Sequence, residues 1–94
     1  MKLRRARNGN DAYRVFRCPG CDDIHMVKVN GEGSWSWNGD EEKPTIKPSI
    51  LATRPGLPEY RCHSFVTDGK IQFLNDCSHA LAGQTVDIPD LEIF

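Results

Sequence analysis

Two cysteines separated only by Pro19 and Gly20, with two more at Cys62 and Cys77, constrain this chain more than any other feature. Cys18-Pro19-Gly20-Cys21 forms a knuckle whose two-residue gap lets both sulfurs reach one ion, and Gly20 eases the tight turn. The chain has 94 residues, room for one domain, 1–94. A core that small commonly needs a metal or disulfides to hold it. No apolar run approaches the roughly 20 residues of a spanning helix. The basic first residues are not followed by the apolar stretch of a signal peptide. The expected compartment is therefore a reducing cytoplasm, where cysteines at motif spacing point to metal rather than to disulfides. Zinc suits thiolates and needs no redox chemistry. A thioredoxin-like use of the knuckle would need a helix after its first cysteine, and Asp22-Asp23 with a β-rich continuation does not supply one.

The rest of the chain reads as short strands punctuated by turn chemistry, and no segment has the length of a stable amphipathic helix. The expected class is mainly β: an antiparallel, zinc-stapled fold of short hairpins with at most one helical turn. Strands are expected over 12–17 and 25–29. Asn30-Gly31 signals a hairpin from the second of these to 33–37. Asn38-Gly39 marks another turn before the acidic loop Asp40, Glu41 and Glu42. A strand over 45–53 is interrupted by Pro48, which confines it to an edge or a bulge. Residues 59–66 and 70–74 flank Asp68-Gly69 as a hairpin. Ser78 is placed to cap one helical turn over 79–82, stopped by Gly83. A last strand covers 84–88.

The Asp68-Gly69 hairpin has a register that can be counted. A two-residue turn sets Thr67 opposite Lys70 and, further back, Cys62 opposite Asn75. Cys77 is then the diagonal neighbour of Cys62 on the same sheet face, within joint reach of a metal where the strand ends bend. Cys18, Cys21, Cys62 and Cys77 thus make a closed Cys₄ site, which is structural because a catalytic zinc keeps a position open. His25, His63 and His79 are alternatives for one of the cysteines, and His79 in Cys77-Ser78-His79 is the main rival.

The same counting sorts the candidate catalytic groups. His63 and Ser64 are neighbours on a strand and point to opposite faces, so they cannot form a nucleophile–base pair. Ser64 shares the Cys62 face with Val66, Ile71 and Phe73. His63 shares the other face with Phe65, Leu74 and, diagonally, Asp76. An Asp beside a His fixes its tautomer and supports its charge, the orienting half of a triad. The nucleophile must come from elsewhere, and Ser49, flanked by Pro44 and Pro48, is the first candidate, with Thr45 second. Ser64 with His79 is a rival dyad. The opposing view makes all of these a polar network near a metal. Trp35 and Trp37 lie two apart on one strand face, suited either to stacking on a ligand or to core packing.

Lys2, Arg4, Arg5, Arg7, Arg14 and Arg17 crowd the start, while Asp76, Asp87, Asp90 and Glu92 follow the last lysine. Residues 1–11 are read as a basic edge or flexible start, an edge strand using charge against aggregation. With a pI near 6.3, nucleic acid is not the expected partner.

Taken together, several segments carry a resemblance: Phe16-Arg17-Cys18-Pro19-Gly20-Cys21, Trp35-Ser36-Trp37-Asn38-Gly39, Lys43-Pro44-Thr45-Ile46-Lys47-Pro48-Ser49-Ile50, Cys62-His63-Ser64-Phe65-Val66, and the block from Asp76-Cys77-Ser78-His79 to Pro89. They resemble a family of small zinc-binding proteins of phages and bacteria that includes the BubE-like serine peptidases of bacterial ubiquitin-like operons. The resemblance implies a zinc-containing domain and a Ser/His hydrolase in a bacterial or phage-infected cell. It does not identify the nucleophile. The expectation is a structural zinc, one per chain, and a site in which Ser49 attacks, His63 takes the proton and Asp76 orients His63. The substrate is expected to be the tail of a ubiquitin-like or other small protein, held extended beside an edge strand. The alternative is a non-catalytic zinc-ribbon-like interaction module.

Overall fold

A computed structural model describes residues 1–6 and 11–91. Arg7 of the basic start and Glu92 of the acidic end lie outside the described residues. Among the described residues, eight strands form two antiparallel sheets. The smaller holds β1 (Arg4–Arg5), β2 (Tyr13–Cys18) and β3 (Asp23–Lys28) in that order. The larger holds β4 (Ser36–Trp37), β5 (Ile46–Arg54), β6 (Leu57–Thr67), β7 (Lys70–Phe73) and β8 (Thr85–Asp87), also in chain order. No described residue is helical, and no helix is long and apolar enough to cross a membrane.

Alternation along the strands builds the core. β7 reads Lys-Ile-Gln-Phe with Ile71 and Phe73 buried and Lys70 and Gln72 exposed. β6 buries Cys62, Ser64 and Val66 and turns the residues between them outward. These inward positions meet Phe16, Cys18 and Val27 from the smaller sheet, joined by Leu3, Ile46, Ile50 and Ile88. Phe16 and Phe73 are fully buried, each worth roughly 2–3 kcal/mol of transfer free energy. Ala6, Val15 and Leu91 form a satellite cluster. The basic residues Arg4 and Arg5 form the edge strand of the smaller sheet.

The countable hairpin has the expected register, with Thr67 opposite Lys70 and Ser64 opposite Phe73. Asp68 and Gly69 both take positive φ, 51° and 78°, the turn that Asp-Gly favours because it matches strand twist. Two local expectations fail. The hairpin from 25–29 to 33–37 does not form. Gly31 and Gly33 both take positive φ and redirect the chain twice, so β4 pairs with β5 in the other sheet. The Trp35 N–H bond to the Lys28 carbonyl, 2.8 Å, is what connects this segment to β3. The helical turn at 79–82 is a run of turns. Ser78 does not cap it. Its hydroxyl instead accepts from the Arg61 N–H and donates to the Arg61 carbonyl.

Pro48 produces the bulge its chemistry demands. Ile46 pairs with Val66 and Ile50 with Ser64, so Phe65 alone spans Lys47, Pro48 and Ser49. The Lys47–Pro48 peptide is cis. A proline cannot donate to the ladder, and the extra residues loop outward there. Ser49 stands at the end of that loop, where β5 rejoins β6.

Candidate active site and metal centre

β6 supplies both candidate sites because its side chains alternate between two environments. Cys62 points into the core at 0% exposure. His63, next in the chain, points to the outer face with 28% of its side chain exposed.

On the outer face three residues form a continuous hydrogen-bonded chain. His63 Nε2 lies 3.0 Å from Ser49 Oγ, and His63 Nδ1 lies 3.2 Å from Asp76 Oδ2. A carboxylate only accepts, so Nδ1 carries the proton of a neutral imidazole and Nε2 is left to accept from the Ser49 hydroxyl. Each member comes from a different piece of local structure. Ser49 leaves the proline bulge of β5, His63 sits mid-strand on β6, and Asp76 lies in the turn after β7. Arg61 Nη1, 3.8 Å from Asp76 Oδ2, places a cation beside the carboxylate. Cys77 Sγ accepts from the His63 N–H and donates to the His63 carbonyl, each at 3.2 Å, which ties the backbone of His63 in place.

On the inner face Cys18, Cys21, His25 and Cys62 gather, every ligand atom within 4.8 Å of the others. Cys18 and Cys62 sulfurs are 3.8 Å apart, and His25 Nε2 is 3.3 Å from Cys21 Sγ. Zinc–sulfur bonds of about 2.3 Å at tetrahedral angles put two ligand sulfurs about 3.8 Å apart. The donor set therefore fits a tetrahedral Zn²⁺ site. Its electrostatics point the same way. The hydrogen bond from Cys62 holds the Cys18 thiol down to about 4, with help from His25. The same bond, together with burial, pushes Cys62 up, and burial foremost pushes Cys21 up. Thiols this close cannot all ionise unaided, and a divalent cation offsets both their repulsion and their desolvation. The Tyr60 hydroxyl is buried beside the Cys21 sulfur. Burial first, then the Cys21 sulfur, raises it, as for a donor held against a thiolate.

Cys77, expected from the register as the fourth ligand, is not in that set. The chain turns at 75–76 and brings Cys77 back onto the His63 backbone, where it groups with Cys62 and His79 instead. His25 stands in its place. Its signal was available in the spacing Cys-x-x-Cys-x-x-x-His and in the β2–β3 register, which sets His25 opposite Phe16 on the core side. His79 lies 3.4 Å from Cys62 Sγ, edge-on to Phe73. Its ring fills the space a Cβ at Gly20 would need, a second reason for glycine in the knuckle.

The remaining candidates stand apart from that chain. Ser64 is fully buried and its hydroxyl has no partner, so it makes no hydrogen bond to His79. Thr45 Oγ1 accepts from the Asp68 N–H and bonds the Asp68 carboxylate, bracing the hairpin turn. Trp35 and Trp37 pack against the core. Trp35 also donates its Nε1–H to the Ser49 carbonyl at 3.3 Å, a contact that no local sequence pattern announces. Trp37 lies under the Arg14 guanidinium.

Fold and cluster define a small all-β domain built round a buried Cys₃His group that suggests a zinc site. The chain belongs to the BubE family, the serine protease of a bacterial ubiquitination-like system, whose family model matches residues 2–74. That span takes in Ser49, His63, Cys18, Cys21, His25 and Cys62, whereas Asp76, Cys77 and His79 lie beyond it. A protease of such a system implies protein substrates. Neither a curated protein nor a solved structure matches the chain.

Proposed function

We propose that this protein is a serine peptidase in which Ser49, His63 and Asp76 carry the chemistry on a domain stapled by one structural zinc. The observation behind this reading is the unbroken chain from Ser49 Oγ through both His63 nitrogens to Asp76. Ser49 Oγ bonds to the substrate carbonyl carbon as its proton passes to His63 Nε2. His63 returns that proton to the leaving amine as the C–N bond breaks. Water then repeats the sequence on the acyl-enzyme, releasing the carboxylic acid and restoring Ser49. Asp76 accepts from Nδ1 throughout, keeps the tautomer productive and stabilises the imidazolium. Cys18, Cys21, Cys62 and His25 would hold the zinc, which neutralises the thiolates and closes the core. With family membership implying protein substrates, the substrate is the exposed tail of a small protein, ubiquitin-like in the conjugation setting.

A serine-directed fluorophosphonate tests this directly. It should label Ser49 alone in the folded protein, and His63→Ala should lower the labelling rate by about 10³-fold or more. Absence of labelling in a folded, metal-replete preparation would leave the non-catalytic interaction module as the better reading.

A further inference from the structure

Among the described residues two strand edges are left open, and they face the same cleft. β4 covers β5 only at Ile46 and Lys47, so β5 has no neighbour on that side over residues 50–54. β3 is the edge strand of the other sheet and, among the described residues, pairs only with β2. A cleft of about 280 Å³ runs between them, lined by the consecutive residues 23–26 of β3 and 50–54 of β5. Side chains of a strand alternate between its faces. Unbroken runs from both strands therefore mean that the cleft lies along their backbones.

The hydrogen-bond pattern says which backbone groups look into it. In antiparallel pairs, both groups of a residue point to one side, and the side alternates along the strand. The His63 carbonyl accepts from Leu74, and the His63 N–H goes to Cys77, so both point away from β5. Leu51 is the partner of His63. Its own N–H and C=O therefore point away from β6 and into the cleft. On β3, Val29 donates to Ala12, which makes Val27 and His25 the next residues bonded to β2 and leaves Met26 pointing outward. The Lys28 carbonyl, in phase with Met26, indeed accepts from Trp35 on that side. The Ile24 N–H is taken by the Asp23 carboxylate. Met26 and Leu51 thus each turn an N–H and a C=O away from their strand partners, with no other partner among the described residues, and the two residues are 60% and 57% exposed. Trp35 lines the cleft and bonds the Ser49 carbonyl, so one end of it adjoins the candidate nucleophile.

We infer that this cleft is the substrate channel: an extended polypeptide tail adds as a strand along the Leu51 edge, facing Met26, and delivers its scissile bond to Ser49. The inference rests on the peptidase reading above. Recognition through main-chain bonds is largely independent of side-chain sequence, as a processing enzyme acting on exposed tails requires. The exposed Leu51 and Met26 side chains would flank the tail.

The test uses the whole protein and two classes of probe. One is a minimal alkyl fluorophosphonate. The other is a pool of tetrapeptidyl diphenyl phosphonates of mixed sequence, in which Ser49 Oγ bonds to phosphorus as phenoxide leaves. The pool should label Ser49 at least about tenfold faster than an acetyl-capped single-residue phosphonate. N-methylation at one or more backbone amides of the pool should erase that gain on the unaltered protein. Leu51→Pro removes the edge N–H without touching a β6 bond, so it should also erase the gain, read as the ratio of the two rates in the same variant. Labelling by the minimal probe with no gain from the peptide, or a gain indifferent to N-methylation, overturns the channel while leaving Ser49 chemistry intact. Failure of every probe to label overturns the peptidase reading and the channel with it. Sedimentation reads the rival occupant: a dimer that Leu51→Pro dissolves would put a second copy on this edge and overturn peptide docking.

Discussion

Cys62 and His63 are neighbours in the chain and opposites in surroundings. Cys62 is sealed in the core against Cys18 and within reach of Cys21 and His25. His63 lies on the outer face between Ser49 and Asp76. One strand therefore builds two sites with opposite requirements. The inner group is desolvated, so a bound cation would offset its charges, and its contribution would be to stability. The outer group stays in contact with water, so a proton can pass along it, and under the proposed function its contribution is to reaction. What they share is backbone: Cys77 clamps the two main-chain groups of His63 and groups with Cys62.

If the division holds, damage to the inner group should be global and damage to the outer group local. The largest effect is expected from the metal. Removing it with a strong chelator, or Cys62→Ala, should abolish the cooperative thermal transition, because the binding energy of a structural zinc is largely folding energy. Circular dichroism and elemental analysis would check this together, and a metal-free protein with an unchanged melt would break the comparison from the inner side. Asp76→Asn should come next. It should cost about 10²–10⁴ in turnover, because an amide no longer favours the productive His63 tautomer. The melting temperature should hardly move. A large loss of stability would show that the outer chain is a structural network after all. Trp35→Phe should have the smallest effect. It keeps the ring against the core but removes the donor to the Ser49 carbonyl. Activity should fall several-fold, with a stability cost near 1 kcal/mol, measured by labelling rate and melting temperature.

The features legible in the sequence were those set by short-range geometry. Asp68-Gly69 announced a hairpin whose register follows from counting, and the count put His63 and Asp76 on one face and Cys62 and Ser64 on the other. The knuckle announced itself by spacing. Pro48 announced a break in its strand. The failures came where the answer depended on more than one segment. Asn30-Gly31 looked like a hairpin turn, but the chain after Gly33 joined the other sheet. Cys77 lay on the correct face by the register, yet the turn at 75–76 carried it past the cluster. His25 is only an alternative in the sequence, because its place depends on how β3 packs over β6. The hydrogen bond from Trp35 to Ser49 joins residues with no shared pattern.

By itself the sequence determined the pleat: which residues alternate, where turns of positive φ fall, and hence which side chains share a face. Those choices are local, governed by steric limits on one or two residues and by the period of a strand. Only the tertiary structure decided which faces meet. It brought β2 and β3 over β6, so that His25 rather than Cys77 faces the knuckle. It stopped β4 short, leaving the Leu51 edge open beside Ser49. Such outcomes depend on how two sheets twist and bury their apolar sides together, a balance over the whole chain that no single segment carries.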